Sequence, residues 1–276
     1  MNEMKIELHC HTTCSDGRLT TRELHDLAVK ENLSYMALTD HDTVKGHFEM
    51  MPLLKGSDFR YIPGIELTTS LNGESIHVLG YWNNDGYKNQ EFMDKLDELH
   101  HARNERIRKF TVNLKHHFDL EIDYEKLRET NHGVLTRANL AHAVHDKVPH
   151  LTYNEAFMKY LDKKSPAYIP NIKISVEEGI ALLKKHGAVV VLAHPVIYTK
   201  NALEDLLQYD FDGLECFYFL NDEELTRKSL AEAKKRNLLV TVGSDFHGII
   251  GDVKHGYLGS MEYDMDLLKP FLNLFQ

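Results

Sequence analysis

The chain has 276 residues, of which 42% are hydrophobic and 27% are charged, and this composition excludes a disordered or fibrous protein. The formal net charge of −10 argues against a general nucleic-acid coat protein. No apolar run reaches the length of a membrane span and no secretory signal is recognisable, so we expect a cytoplasmic protein that has no membrane partner. The three cysteines are too few for a disulfide framework, and no motif points to a protein partner.

Short apolar segments alternate with amphipathic helical segments along most of the chain. The predicted strands span residues 5–9, 35–39, 61–68, 75–81, 189–193, 211–217 and 238–243. The predicted helices include residues 21–32, 91–114, 176–186 and 222–236. Strands that alternate with helices pair in parallel through right-handed crossovers, so the pattern predicts an α/β barrel.

One segment of the chain departs from this rhythm. Residues 87–165 are polar and helical and almost free of strand patterns. We therefore predict that residues 1–86 and 166–276 form the barrel. Residues 87–165 are predicted to be an inserted helical subdomain that binds the substrate.

Histidine and acidic side chains occupy the ends of the predicted strands. In a parallel barrel these carboxyl ends open onto one common mouth. Residues two apart on an extended chain point the same way, so His9 with His11, and Asp245 with His247, can bind one site together. The candidate metal ligands are His9, His11, Asp16, His41, Glu66, His77, His194, Asp245 and His247.

The candidate ligands are imidazole nitrogens and carboxylate oxygens, without a required sulfur. This donor set suits manganese, zinc or iron(II) better than a closed structural zinc site. Nine donors exceed the needs of one tetrahedral ion, so we predict two or three divalent ions, with manganese first, and open positions for water. A single histidine at a strand end is more often hydrogen-bonded or exposed, and it is the joint occurrence at six strands that indicates metal binding.

The motifs around these residues resemble those of the polymerase and histidinol phosphatase (PHP) family. They are His9-Cys10-His11, Ser15-Asp16-Gly17, Thr39-Asp40-His41, Gly64-Ile65-Glu66, His77, Ala193-His194-Pro195 and residues 243–248. The similarity extends over nearly the whole chain. Asp16 and the segments 135–137 and 165–170 resemble the branch that contains 3′,5′-nucleoside bisphosphate phosphatases and 5′→3′ exoribonucleases.

This resemblance implies a distorted (β/α)7 TIM-like barrel, the PHP fold, with a trinuclear metal site. Glu66 would bridge two of the ions. The ligand sets implied for the three ions are His9, His11, Glu66 and Asp245; Glu66, His77 and His194; and Asp16, His41 and His247.

The predicted activity is phosphoester hydrolysis, because clustered divalent ions lower the pKa of a bridging water and neutralise phosphate oxygens. The predicted catalytic residues are Asp16, His194, His247 and Arg137. We expect Cys10 to pack away from the histidines and Cys14 to be a bystander.

The predicted substrate contacts lie in the inserted segment. Arg137 is selected by its pattern and by the resemblance, since a guanidinium matches a phosphate in a bidentate manner. Arg103 continues the apolar stripe of helix 91–114 and Arg106 lies beside it, so each would bind an anion or form a salt bridge. In the similar branch Pro-His usually follows the arginine, whereas here Ala138-Asn139 follows, and Asn139 can hydrogen-bond but cannot act as an acid.

The expected substrates are small phosphorylated nucleotides, foremost 3′,5′-bisphosphonucleotides. A 5′→3′ exoribonuclease acting on short RNA would use the same site, and the net charge favours short substrates. Histidinol-phosphate phosphatase is a third alternative, which the helical insertion disfavours. An amidohydrolase would not require Asp40-His41 and Glu66, and a non-enzymatic metal-binding interaction module would leave the open coordination positions without a purpose.

Overall fold

The computed structural model describes residues 4–130, 135, 137–170 and 173–276. The backbone separates into two compact units, Met1–Asp94 with Ile174–Gln276 and Lys95–Lys173. The predicted division into a barrel and an inserted subdomain over residues 87–165, and the substrate-binding role of that subdomain, stay predictions.

The first unit contains a sheet of seven strands that follow one another in chain order. The strands are β1 (Lys5–Cys10), β2 (Leu33–Leu38), β3 (Arg60–Leu71), β4 (Glu74–Tyr81), β5 (Val189–Leu192), β6 (Gly213–Tyr218) and β7 (Leu239–Gly243). The two edge strands approach each other, because Phe246 after β7 accepts the His11 N–H at 2.9 Å and donates to His9 O at 3.2 Å. The sheet is therefore a nearly closed barrel, and the predicted α/β barrel fold is confirmed.

Strand β4 runs opposite to its neighbours, so the prediction of parallel pairing throughout is wrong at this strand. β3 pairs antiparallel with β4, and β4 pairs antiparallel with β5. The reason is a two-residue hairpin at Asn72-Gly73, where both residues have positive φ, 50° and 73°. Asn-Gly is a strong hairpin signal, because both residues tolerate this left-handed conformation. As a consequence His77 lies within its strand, opposite Thr68, rather than at a strand end.

Helices cover the strands of the first unit and begin where the sequence supplies caps. Thr20 caps the first helix and Ser175 caps Val176–Lys185, each through a capping box with a glutamate three residues later. The helices with most of their length in this unit are α1 (Thr21–Lys30), α2 (Lys45–Met50), α7 (Val176–Lys185), α8 (Leu203–Leu206), α9 (Glu223–Arg236) and α10 (Met265–Leu272). Helix α1 buries Leu24 and Ala28 in a cluster that includes Cys10, as expected for a packing cysteine.

The second unit is helical in the residues that the structure describes. Helix α3 (Gln90–Phe118) begins in the first unit and continues through the second. It is followed by α4 (Tyr124–Thr130), α5 (Arg137–Lys147) and α6 (Tyr153–Tyr160). Ile107, Phe110 and Leu114 of α3 pack with Leu140 and Val144 of α5 in a buried apolar core. Within the described ranges, each helix is too short or too polar to traverse a bilayer.

The end of β7 packs against β1 so tightly that only glycine fits at position 243. A Cβ on Gly243 would lie 2.3 Å from His9 Cβ and 2.4 Å from Glu215 Oε1. We expect Gly243→Ala to lower the free energy of unfolding by roughly 1–3 kcal/mol, because overpacking forces rigid buried neighbours to move. Thermal and denaturant unfolding would measure this loss. Arg22→Ala on the exposed side of α1 is the control, and equal stability of the two variants would contradict the close packing of β1 and β7.

Candidate metal centre

The barrel gathers the nine predicted ligands into one cluster. They come from β1 and the loop after it, the segment after β2, strands β3 and β4, and the segments after β5 and β7. His9, His11, Glu66 and His194 are completely or almost completely buried, and Asp245 and His247 are each 6% exposed. The side chain of Asp16 is the most accessible, at 46%. Whether each of these side chains binds a metal stays a prediction.

One group of donors is formed by His9, His11, Glu66 and Asp245. The Nε2 atoms of both histidines lie 3.2 Å from Glu66 Oε2. The same two nitrogens lie 3.3 and 3.0 Å from Asp245 Oδ1. Two donors bound to one ion at about 2.1 Å are separated by about 3.0–3.5 Å at common coordination angles. These four side chains therefore have the spacing of one coordination shell.

Glu66 turns its second oxygen towards another group of histidines. Its Oε1 lies 2.7 Å from His77 Nδ1 and 2.8 Å from His194 Nε2, while its Oε2 is also 3.1 Å from His41 Nδ1. Backbone pairing holds Glu66 beside His41, because the Glu66 N–H donates to Asp40 O and Glu66 O accepts the Asp42 N–H. Glu66 is thus placed as a carboxylate that can bridge two ions.

A third group of donors surrounds Asp16. Its Oδ1 lies 3.3 Å from His247 Nε2 and 3.9 Å from His11 Nδ1, and its Oδ2 lies 3.7 Å from His41 Nε2. The structure therefore adds His11 to the set of Asp16, His41 and His247 that the family resemblance implies.

Several buried atoms of the cluster that could bind a metal lack a hydrogen-bond partner among the described residues. They are Nε2 of His9, Nδ1 of His11, Nδ1 of His41, Oε2 of Glu66 and Nδ1 of His194. A buried polar atom without a partner costs about 1–3 kcal/mol, and more when it is charged. Most of these atoms lie close to other donors without the geometry of a hydrogen bond, which is the arrangement expected of ligands that point at a shared cation. The donor set thus fits divalent ions such as manganese, zinc or iron(II).

Opposite charges control protonation inside the cluster. Burial raises the pKa of the Glu66 carboxyl, but the surrounding imidazoles, His41 and His77 foremost, outweigh burial and hold this pKa well below its usual range. Burial lowers the pKa of His11, but its contacts with Asp245 and Glu66 raise it to about 10. Without a metal ion, Asp245 and Glu66 therefore keep a proton on His11, whereas burial outweighs the nearby carboxylates at His41 and lowers its pKa to about 4.

Buried carboxylates outside the predicted set hold the ligands in place. Glu215 Oε1 is 2.9 Å from His9 Nδ1, and its Oε2 accepts the backbone N–H of His194 at 2.7 Å. Glu7 accepts the backbone N–H groups of His9 and Ser244 at 3.1 and 2.9 Å. Such partners fix the tautomer and orientation of metal-binding histidines. The signal that could have revealed Glu7 and Glu215 is an acidic residue within an apolar strand.

The loop after β7 contributes a further histidine that sequence reasoning missed. His255 forms a group of possible metal donors with Asp245 and His247. Its ring stacks on that of His247, with centroids 4.1 Å apart. A sequence signal exists in the Asp252-x-x-His255 spacing, since the Asp252 carboxylate reaches His255 Nδ1.

The predicted substrate-contact residues all belong to the second unit, Lys95–Lys173. Arg106 is buried on α3, donates from Nε to Ile169 O at 2.9 Å, and places its guanidinium 5.1 Å from the Phe110 ring centre. Arg103 is only half-buried. The buried face of α3 therefore passes through Arg106, although the sequence pattern places Arg103 on the apolar stripe.

Arg137 lies close to Arg106 within the same unit. Burial lowers the pKa of Arg106, and the neighbouring charge of Arg137 lowers it further. Arg137 begins α5 and its guanidinium lies 4.9 Å from the Phe157 ring centre. Asn139 is half-buried on the same helix, and Thr136 lies outside the described residues. Contact between these side chains and a substrate stays a prediction.

The comparisons with known proteins agree on one family. A family model described as the PHP domain matches residues 7–275. The chain is 27% identical over 258 residues to a 5′-3′ exoribonuclease of Haemophilus influenzae, covering 91% of this chain and 93% of that protein. It is 26% identical over 255 residues to a 3′,5′-nucleoside bisphosphate phosphatase of Chromobacterium violaceum, covering 88% and 87%.

A solved structure shows the same fold together with sequence similarity. It comes from Bifidobacterium adolescentis and carries the assignment of metal-dependent phosphoesterase. It superposes with a TM-score of 0.78 at 27% identity, covering 98% of this chain and 96% of that one. The chain belongs to the PHP domain family and is a metal-dependent phosphoesterase of that family.

Proposed function

We propose that the protein removes phosphate from 3′,5′-bisphosphonucleotides. The observation that carries this proposal is the placement of Glu66 between two groups of histidines, which suits a multinuclear phosphoesterase site. The similarity to the Chromobacterium violaceum bisphosphate phosphatase supports this substrate class. A buried cluster inside a barrel also suits a small substrate better than a long polymer.

The proposed reaction depends on cations held by the nine candidate ligands. When bound, divalent ions lower the pKa of water and neutralise the oxygens of a phosphate. Asp16, His194 and His247, which come from three separate loops, would bind these cations and so position them against the phosphate. Arg137, with Arg106 beside it, would bind phosphate through its planar guanidinium.

A 5′→3′ exoribonuclease activity is the second candidate. The similarity to the exoribonuclease of Haemophilus influenzae favours it. Both reactions hydrolyse a phosphoester and would use the same metal site. The formal net charge of −10 favours short RNA, because long RNA is usually bound along a basic track.

We expect purified protein supplied with Mn²⁺ to release inorganic phosphate from a 3′,5′-bisphosphonucleotide. His194→Ala should reduce this rate by more than about 100-fold, since loss of even an outer partner of a metal ligand costs roughly 10–100-fold. His25→Ala is the matched control, because His25 lies on α1 and pairs with Asp26 and Ser57. An equally active His194→Ala protein would refute the assignment of the site.

The products separate the two candidate activities. A 5′-phosphorylated oligoribonucleotide that yields nucleoside monophosphates without free phosphate indicates the exoribonuclease. Phosphate release from the bisphosphonucleotide, with the oligoribonucleotide intact, indicates the phosphatase.

We expect Arg137→Ala to impair substrate binding without loss of metal. Removing a charged hydrogen-bond donor costs about 1.5–3 kcal/mol, which corresponds to a rise in KM or a fall in kcat/KM of roughly 10–150-fold. Arg137→Lys should restore little of this loss, because an ammonium lacks the planar fork. Steady-state kinetics and metal analysis of the same preparations are the measurements, and metal loss in Arg137→Ala would contradict its proposed role.

We expect Mn²⁺ affinity to increase with pH. Because the pKa of His11 in the metal-free site is raised to about 10, this imidazole holds a proton below that pH, and a bound ion must displace it. Each displaced proton weakens binding by roughly tenfold per unit decrease in pH. Mn²⁺ titrations at about pH 6 and about pH 8, with proton release followed in weak buffer, test this linkage. Affinity that does not change with pH would contradict it.

A further inference from the structure

The loop after β7 returns a histidine to the edge of the metal centre. His255 lies ten residues beyond Asp245 in the chain, yet its Nε2 is 3.9 Å from Asp245 Oδ2. Its ring stacks on His247 with a centroid separation of 4.1 Å and an interplanar angle of 27°. The side chain is 23% exposed, so the ring is largely covered but still reaches solvent.

Asp252 fixes the orientation of this ring. The Asp252 Oδ2 atom is 2.6 Å from His255 Nδ1, and Oδ1 accepts the backbone N–H of Lys254 at 2.8 Å. A proton on Nδ1, shared with Asp252, leaves the lone pair of Nε2 able to bind a cation. Among the described residues, His255 Nε2 forms no hydrogen bond. It faces the carboxylate oxygen Oδ2 of Asp245.

The same arrangement occurs at His9, one of the nine candidate ligands. Glu215 contacts His9 Nδ1 at 2.9 Å, while His9 Nε2 faces Glu66 and Asp245. A carboxylate on one ring nitrogen, with the other nitrogen aimed at the ion, is the usual arrangement of metal-binding histidines. The pair of Asp252 and His255 repeats it on the opposite side of Asp245.

Asp245 has a second carboxylate oxygen that could share a cation with His255. Its Oδ1 lies 3.3 and 3.0 Å from the Nε2 atoms of His9 and His11. Its Oδ2 points the other way, where it accepts a hydrogen bond from Tyr218 at 3.2 Å and faces His255. Two ligand atoms at about 2.1 Å from one ion are at most about 4.2 Å apart, so the separation of 3.9 Å permits both to bind the same cation.

We propose that His255 is a further metal ligand of this protein, which binds a divalent cation through Nε2 together with Asp245 and His247. The proposal rests on the metal-dependent function proposed above and adds a tenth donor to the nine identified from the sequence. It assigns Asp252 as a positioning residue that fixes the His255 ring.

Calorimetric titration of the metal-free protein with Mn²⁺ alone tests this proposal, with EPR of the bound ion as a second readout. His255→Ala and His255→Phe should both weaken one class of Mn²⁺ sites by at least about tenfold or remove one ion from the stoichiometry. The phenylalanine keeps a ring that can stack on His247 but has no donor nitrogen. Asp252→Asn should weaken the same class of sites by a smaller factor. His25→Ala, which removes another aspartate-paired histidine, should bind Mn²⁺ as the wild type does.

The outcomes separate this inference from the proposed function. Wild-type affinity and stoichiometry in His255→Phe, with weakened binding in His255→Ala, would show that His255 only packs on His247 and would overturn the inference. Unchanged Mn²⁺ binding in both variants would overturn it as well, while phosphate release by the wild type would leave the proposed function intact. A wild-type protein that binds no Mn²⁺ would overturn both.

Discussion

The buried carboxylate of Glu66 is the interaction on which the metal centre depends. Its two oxygens lie within 3.2 Å of nitrogens from His9, His11, His41, His77 and His194. A buried charge is costly unless it is paired, and removing one partner of a buried pair leaves the other uncompensated. The imidazoles can supply positive charge only by retaining protons, whereas divalent ions supply it to several ligands at once. The site is therefore built so that bound cations relieve the cost of concentrating acids and imidazoles in the barrel.

The backbone is strained at the segments that carry these ligands. Asp42, His194 and Asp245 have positive φ values of 55°, 23° and 57°. Such conformations cost about 1–3 kcal/mol each and persist where surrounding contacts enforce them. The Asp42 carboxylate is held by the N–H and hydroxyl of Thr68 at 2.6 and 2.8 Å, and the His194 N–H is held by Glu215. Stability is thus exchanged for the orientation of donors at the mouth of the barrel.

The topology brings together donors from the two ends of the chain. The contacts of β1 with the segment after β7 place His9 and His11 beside Asp245. The reversed strand β4 has a comparable effect, because His77 pairs with Thr68, two residues from Glu66, on the same face of the sheet. A parallel strand at this place would need a long crossover, whereas the hairpin delivers His77 within a few residues.

The sequence by itself determined the local elements and the chemical type of the site. Alternation of apolar residues, capping residues and the H-x-H and D-x-H spacings depend on neighbours along the chain, so the barrel strands and the nine candidate ligands could be identified without coordinates. Only the tertiary structure decided which oxygen of Glu66 or Asp245 faces which imidazole, and that Glu7 and Glu215 support the ligands. It also decided that His255 returns to Asp245 and that Arg106 rather than Arg103 lies on the buried face of α3. These features arise from contacts between segments that are distant in sequence, and local periodicity carries no information about such contacts.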